Sequence, residues 1–199
     1  VARRMTVHLP PGFNSDKPTS VYFLLDGVQV NNPAGNMLGI NGWARTADAH
    51  NLVAVNLDQA EQSSLRFFGL RIPHSIAGRQ IPNITSWSSE HGILNKTKGV
   101  DDVQVFTSVY DRVQGSMAVK VNNIVAFSDG GTLAHAIAAK MPIGSINGVA
   151  NVAGTIMRNA PLPKSGIKGF FVNSLQDPTI PIEGGAGPQL TKWLPKIGQ

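Results

Sequence analysis

Apolar positions recur along this chain with two periods, and the two alternate. Residues 4–9, 20–25, 51–57, 123–127, 146–152 and 167–172 are apolar or alternating runs of strand length, rich in Val, Ile, Leu and Phe. The run over 20–25 is continuous, as in a strand buried on both faces, and Asp26-Gly27 ends it. Between the strands the spacing becomes helical. Trp43, Ala47 and His50 share one face of a helix over 42–50, and Val103, Phe106, Tyr110 and Val113 share one face of another. Asp101 and Asp102 open that second helix, where negative charge suits the helix dipole. A third helix is predicted over 132–140, and Leu190, Trp193 and Leu194 predict a short final one. This βα alternation argues for an α/β fold, with a mostly parallel sheet and helices on both faces.

Residues 58–98 break the rhythm. Their composition is mixed and polar, with Pro73, Pro82 and isolated Phe67, Phe68 and Trp87, which reads as a long irregular excursion of the kind that carries function. A length of 199 residues suits a single domain, 1–199, that includes the excursion. No apolar run approaches the roughly 18 to 20 residues that span a bilayer, so no membrane partner is expected. Lys and Arg number 17 against 12 Asp and Glu, but apart from Arg3-Arg4 and Lys96 with Lys98 they are scattered. Nucleic acid would want a denser stripe, although a basic surface suits an anionic polymer. The absence of cysteine removes disulfides, thiolate metal sites and a thiol nucleophile together. Five dispersed histidines without an H-E-x-x-H pattern imply no metal, and the Gly-rich stretch 183–187 lacks a Walker lysine, so no cofactor is implied. The sequons at Asn83 and Asn95 are as frequent as chance allows, and the start at Val1 leaves a signal peptide either removed or never present.

The densest chemistry lies at Ala126-Phe127-Ser128-Asp129-Gly130-Gly131, a serine between a predicted strand and a predicted helix. A nucleophile elbow, G-x-S-x-G, has this layout because strand and helix approach closely at a strained turn that presents the serine. Ala126 stands at the first glycine position, and Gly130 keeps the more crowded one.

These residues belong to an ordered series that resembles the α/β hydrolases grouped as polyhydroxybutyrate depolymerases, feruloyl esterases and acetylxylan esterases. The series includes residues 7–12, residues 23–27 where the family has an apolar strand ending in His-Gly, Trp43 with Ala47-Asp48, and Trp87. Val100-Asp101-Asp102-Val103, residues 127–131 and residues 177–185 continue it over nearly the whole chain. The resemblance implies a three-layer α/β-hydrolase sandwich, C-terminally shortened, and a serine esterase in which Ser128 attacks an ester carbonyl. It implies an oxyanion hole formed by the backbone N–H of Asp129 with that of Val28 or Gly27, and Asp177 as the triad acid. It also implies a secreted protein acting on an ester that is polymeric, either a polyester or acyl and feruloyl esters of a polysaccharide. Trp87, Phe67 and Phe68 are then candidates to line an acyl pocket.

Three departures weigh against catalysis, and Ala126 at the first glycine position of the elbow is one of them. The triad histidine is expected after Asp177, and no histidine follows His135. His135 lies seven residues into the helix that follows the serine, about 10 Å along its axis, so it leads away from the turn. His8 and His50 read as structural, and His74 and His91 sit in the excursion. Asp26 stands where the family has histidine. Ionised about 6 Å from an oxyanion at an effective dielectric near 20, it opposes that charge by roughly 3 kcal/mol, about a hundredfold in rate. The competing reading is therefore a hydrolase-fold domain that binds a polymer or glycan without turnover. A sheet lacking its last strand also leaves an edge to be covered, through which the chain is expected to dimerise.

Overall fold

In the computed structural model the described residues are 3–30, 37–39, 41–61, 65–67, 70–72, 75–76, 79–80, 84–88, 100–156 and 160–182. Phe68, His74, His91, Asn83, Asn95, the 183–187 stretch and the expected helix around Trp193 lie outside them.

Six strands form the main sheet: β1 (Met5–His8), β2 (Thr19–Leu25), β3 (Val53–Leu57), β4 (Val119–Phe127), β5 (Gly148–Val152) and β6 (Lys168–Val172). Their order is β1-β3-β2-β4-β5-β6. Only β1 runs antiparallel, with Met5 opposite Leu57, and the other four pairings are parallel. All six lie where the apolar runs predicted strands. β4 begins four residues earlier than its apolar run, because Asn122 and Asn123 are polar residues within the strand.

The continuous runs are buried on both faces, as their lack of alternation required. Val21, Phe23 and Leu25 of β2, Val53, Val55 and Leu57 of β3, and Ile124 and Ala126 of β4 join one core. Leu24, Ala54 and Val125, the intervening residues, join the other. Helices α2 (Asp102–Gln114) and α3 (Asp129–Lys140) cover the first face, and α1 (Trp43–His50) covers the second, which makes the three layers. The predicted face of α2 is the buried one, since Val103, Phe106 and Val113 are inside. Its start is fixed by Asp101, whose carboxylate accepts the Val103 N–H at 3.0 Å as an N-cap. Asn51 closes α1 in the left-handed conformation at φ 49°, its N–H reaching the Ala47 and Asp48 carbonyls.

The excursion is more regular than its sequence suggested. Gln29–Val30, Ala60–Glu61 and Ile84–Ser86 form a three-stranded antiparallel sheet, and Leu65–Phe67 with Leu70–Ile72 and Ser75–Ile76 with Arg79–Gln80 form two small hairpins. Strands of two or three residues are too short to show a period, so no pattern announced them. At the other end, all five residues of the edge strand β6 are exposed, Phe170 and Phe171 among them. No helix among the described residues is long and apolar enough to cross a membrane.

Phe23 is completely buried and meets Phe106 of α2 edge-on at 4.9 Å, which ties the central strand to the covering helix. Phe23→Ala is expected to lower stability by about 3–5 kcal/mol and Phe23→Leu by roughly 1 kcal/mol, read from urea unfolding. A loss below 1 kcal/mol for the alanine variant would show that this contact does not anchor the sheet.

Candidate active site

From β2 the chain crosses to β3 on one side, and from β4 it crosses to β5 on the other, so the direction of winding reverses between β2 and β4. At such a switch point the loops diverge and leave a crevice beyond the carboxyl ends of the strands, where α/β sheets bind ligands. Leu25-Asp26-Gly27 and Phe127-Ser128 are the segments that border it.

Ser128 holds φ 52° and ψ −117°, a conformation that costs a non-glycine residue about 1–3 kcal/mol. The turn is held by the Ser128 N–H to the Val152 carbonyl and the Gly131 N–H to the Ser128 carbonyl, both at 2.9 Å. It is tight enough to dictate glycine. A Cβ on Gly130 would lie 2.1 Å from the Leu25 carbonyl oxygen, and one on Gly131 would lie 2.4 Å from Asn151 Oδ1. Ala126, by contrast, is seated in the core with its methyl fully buried, so that departure from glycine is absorbed by packing. Ser128 itself is half-buried, its hydroxyl does not cap α3, and no described residue bonds to it.

Two backbone segments flank the serine. α3 starts at Asp129, whose N–H is one of the orphan donors of the first helical turn. Gly27 abuts the serine across the crevice, since a Cβ there would come within 2.9 Å of Ser128 Cβ. The Gly27 N–H is already taken by the Asp26 carboxylate at 3.2 Å. The Gly27 carbonyl is held by Gln59 Nε2 at 2.9 Å, so the Val28 N–H of the same trans peptide points the opposite way. Asp177 lies in the loop after β6, two strand spacings or about 10 Å across from β4. Its Oδ1 accepts the N–H groups of Thr179 and Ile180 at 2.8 and 2.9 Å, which is the geometry of a carboxylate-closed turn.

No protein-family model and no curated protein matches this sequence. Solved structures do. A thermostable esterase superposes with a TM-score of 0.59 at 16% identity, over 90% of this chain and 44% of that one. A ferulic acid esterase gives 0.50 at 14% identity, over 76% and 53%. An S-formylglutathione hydrolase from Agrobacterium tumefaciens gives 0.50 at 16% identity, over 76% and 52%. This chain has the α/β-hydrolase fold. It spans about half the length of these solved chains.

Within this hydrolase scaffold Trp87 does something its sequence position did not reveal. It is 1% exposed and packs in the main core, where it forms a strut. Its backbone N–H donates to Asp129 Oδ2 at 3.0 Å, and its indole N–H donates to the Asp26 carbonyl at 2.6 Å. Gln59 Nε2 reaches the same carbonyl at 3.0 Å, while Thr85 Oγ1 donates to Gln59 Oε1 at 2.8 Å. One tryptophan thus links the segment after β2 to the segment after β4. The only sequence signal for it was its place in the family series, which says nothing of direction.

Two buried carboxylates grip the strut. Asp129 holds Trp87, and Asp102 accepts the Ser88 N–H at 2.5 Å while also pairing with Arg3 Nη2 at 2.5 Å. Burial raises both acids, against the hydrogen bond from Ser88 and the charge of Arg3 at Asp102. At Asp129 burial outweighs the bonds from Trp87 and Thr132 and pushes the pKa up to about 7. None of the described histidines is hydrogen-bonded to Ser128. His135 is buried beside Asn151, whose amide nitrogen is 3.1 Å from Nε2, and stacks parallel on Phe171 with ring centroids 5.7 Å apart. Burial lowers its pKa and keeps it neutral. His8 pairs with Asp48 at 2.7 Å near the amino end of β3, and His50 is exposed at the end of α1.

A carboxyl with pKa about 7 in the fold and roughly 3.9 unfolded keeps a proton that the unfolded chain gives up. Its contribution to stability is therefore complete below about pH 4, is lost as pH rises toward 7, and is constant above. Asp129→Asn fixes the neutral state, so the stability difference between variant and wild type should shift toward the variant by up to about 1.4 kcal/mol per pH unit across that window. Parallel profiles in urea unfolding from pH 4 to 8 would mean that Asp129 is ionised throughout.

Proposed function

We propose that this chain is a serine ester hydrolase working through an acyl-enzyme on Ser128. The observation that carries the reading is the strained, half-exposed Ser128 at the switch point, with the first turn of α3 on one side of it and Gly27 on the other. Ser128 Oγ attacks the ester carbonyl, its proton passes to a general base, and the negative oxygen is stabilised by the N–H groups of Asp129 and Val28. Gly27 is the weaker second donor, because its N–H already serves Asp26. Collapse of the tetrahedral intermediate expels the alcohol and leaves an acyl-serine, which water then hydrolyses. Asp177 orients the base from the loop after β6.

The base is a histidine other than His8, His50 and His135, each of which is engaged or remote. It is either a histidine in a segment that follows these 199 residues in a longer protein or, within this sequence, His74 or His91. The substrate is a carboxylic ester, either a polyester or the acyl and feruloyl esters of a polysaccharide. The esterases among the solved structures of the same fold support this class.

A second reading is favoured by the engagement of His8 and His135 elsewhere and by the Asp26 carboxylate beside Gly27: a hydrolase-fold domain that binds a polymer or glycan and does not turn it over. The two part on one experiment. For the hydrolase, short-chain p-nitrophenyl ester cleavage falls at least a thousandfold on Ser128→Ala, and a fluorophosphonate labels the wild type stoichiometrically. Equal rates for wild type and variant would sink the serine mechanism, and absent labelling with retained polymer binding would establish the second reading. If labelling succeeds, a comparable loss of turnover in His74→Ala or His91→Ala names the base, and unchanged turnover in both assigns it to neither.

A further inference from the structure

The excursion meets the site through one half-buried side chain, Gln59. Its amide nitrogen donates to two successive carbonyls, those of Asp26 at 3.0 Å and Gly27 at 2.9 Å. Both peptides after β2 therefore turn their oxygens to the same atom, and their N–H groups, on Gly27 and Val28, turn away from it. β3 and β4 flank β2 on opposite sides, with Gln59 just beyond β3 and Ser128 directly after β4. Away from Gln59 is thus the side on which Gly27 meets Ser128.

An amide can present either end, and a neighbour makes the choice. Thr85 Oγ1 donates to Gln59 Oε1 at 2.8 Å, which leaves the nitrogen facing the carbonyls. Thr85 is buried in the central strand of the three-stranded sheet, opposite Gln29 on one side and Glu61 on the other. Those two outer strands start directly after Val28 and Gln59, so the sheet sets the distance between the glutamine and the peptides it holds. Trp87 also holds the Asp26 carbonyl, whereas among the described residues only Gln59 bonds the Gly27 carbonyl, whose peptide carries the Val28 N–H.

We propose that Gln59 is a positioning residue for the reaction at Ser128. It fixes the Val28 N–H on the serine's side of the segment, where that N–H meets the negative oxygen of the tetrahedral intermediate. This role rests on the reading of Ser128 as the nucleophile of an ester hydrolase. Stabilising the oxygen requires a donor in place before the charge develops, and a displacement of about 1 Å forfeits on the order of a hundredfold in rate. The charge exists only along the reaction path, so the loss falls on kcat and not on KM.

The test compares p-nitrophenyl acetate cleavage and the rate of fluorophosphonate labelling in wild type, Gln59→Met, Thr85→Val and Thr85→Ser, each confirmed as folded by circular dichroism. Gln59→Met keeps the length of the side chain without its donor, and should lower kcat about a hundredfold with KM within about threefold, slowing labelling in parallel. Thr85→Val should lose about tenfold in kcat, and Thr85→Ser, which keeps the hydroxyl, should stay within about twofold of wild type. If Gln59→Met does not fold, the Thr85 pair decides. A Gln59→Met that keeps its kcat, a rise in KM in place of the fall in kcat, or equal losses in Thr85→Val and Thr85→Ser would overturn the proposal and leave the hydrolase reading standing. A wild type that is neither labelled nor slowed by Ser128→Ala overturns that reading, and the role of Gln59 with it.

Discussion

The constraint on which the site depends is steric. The first turn of α3 lies so close to the end of β2 that no side-chain carbon fits between them at Gly130. That approach forces the chain to reverse within one residue, and Ser128 takes the positive φ that results. It also brings Gly27 against the serine, so the strain at one residue and the narrowness of the crevice have a single origin. The sheet supplies the rigidity to hold it, since β2 and β4 are buried on both faces and paired in parallel to the last residue before the turn.

Beneath this contact lies a polar scaffold in an otherwise apolar setting. Asp129, Trp87, Asp26 and Gln59 form a continuous path of hydrogen bonds across the top of the two strands. Each carbonyl that it holds turns the following N–H outward. The scaffold also explains why buried carboxylates are tolerated beside a core: each accepts a backbone N–H that would otherwise go unsatisfied, Trp87 for Asp129 and Ser88 for Asp102.

What could be read from the sequence was what repeats or crowds. Doubly buried strands announce themselves as unbroken apolar runs, as residues 20–25 did, and the covering helix did so through Val103, Phe106 and Val113. The elbow was legible because small residues at 130 and 131 have no other strong reason to follow a serine there. Hydrogen-bond direction was not legible. Nothing in the letters says that Trp87 is a strut, that Asp26 folds back on Gly27, or that Gln59 matters. The roles of Trp87 and Gln59 depend on atoms 26 to 61 positions apart, where no local period operates. The hairpins of the excursion escaped for the opposite reason, being too local and too short to leave a pattern.

Trp87 carries one more consequence. Its two bonds join segments 61 and 42 positions away, around residues 26 and 129, which also meet directly where Gly130 lies against the end of β2. Contacts of such separation incur their loop-closure entropy before they return any stabilisation. Trp87 closes two loops, both shorter than the separation of 101 positions between Leu25 and Ala126 in the pairing beside it, and so ties the crevice at a lower entropic cost than the sheet does.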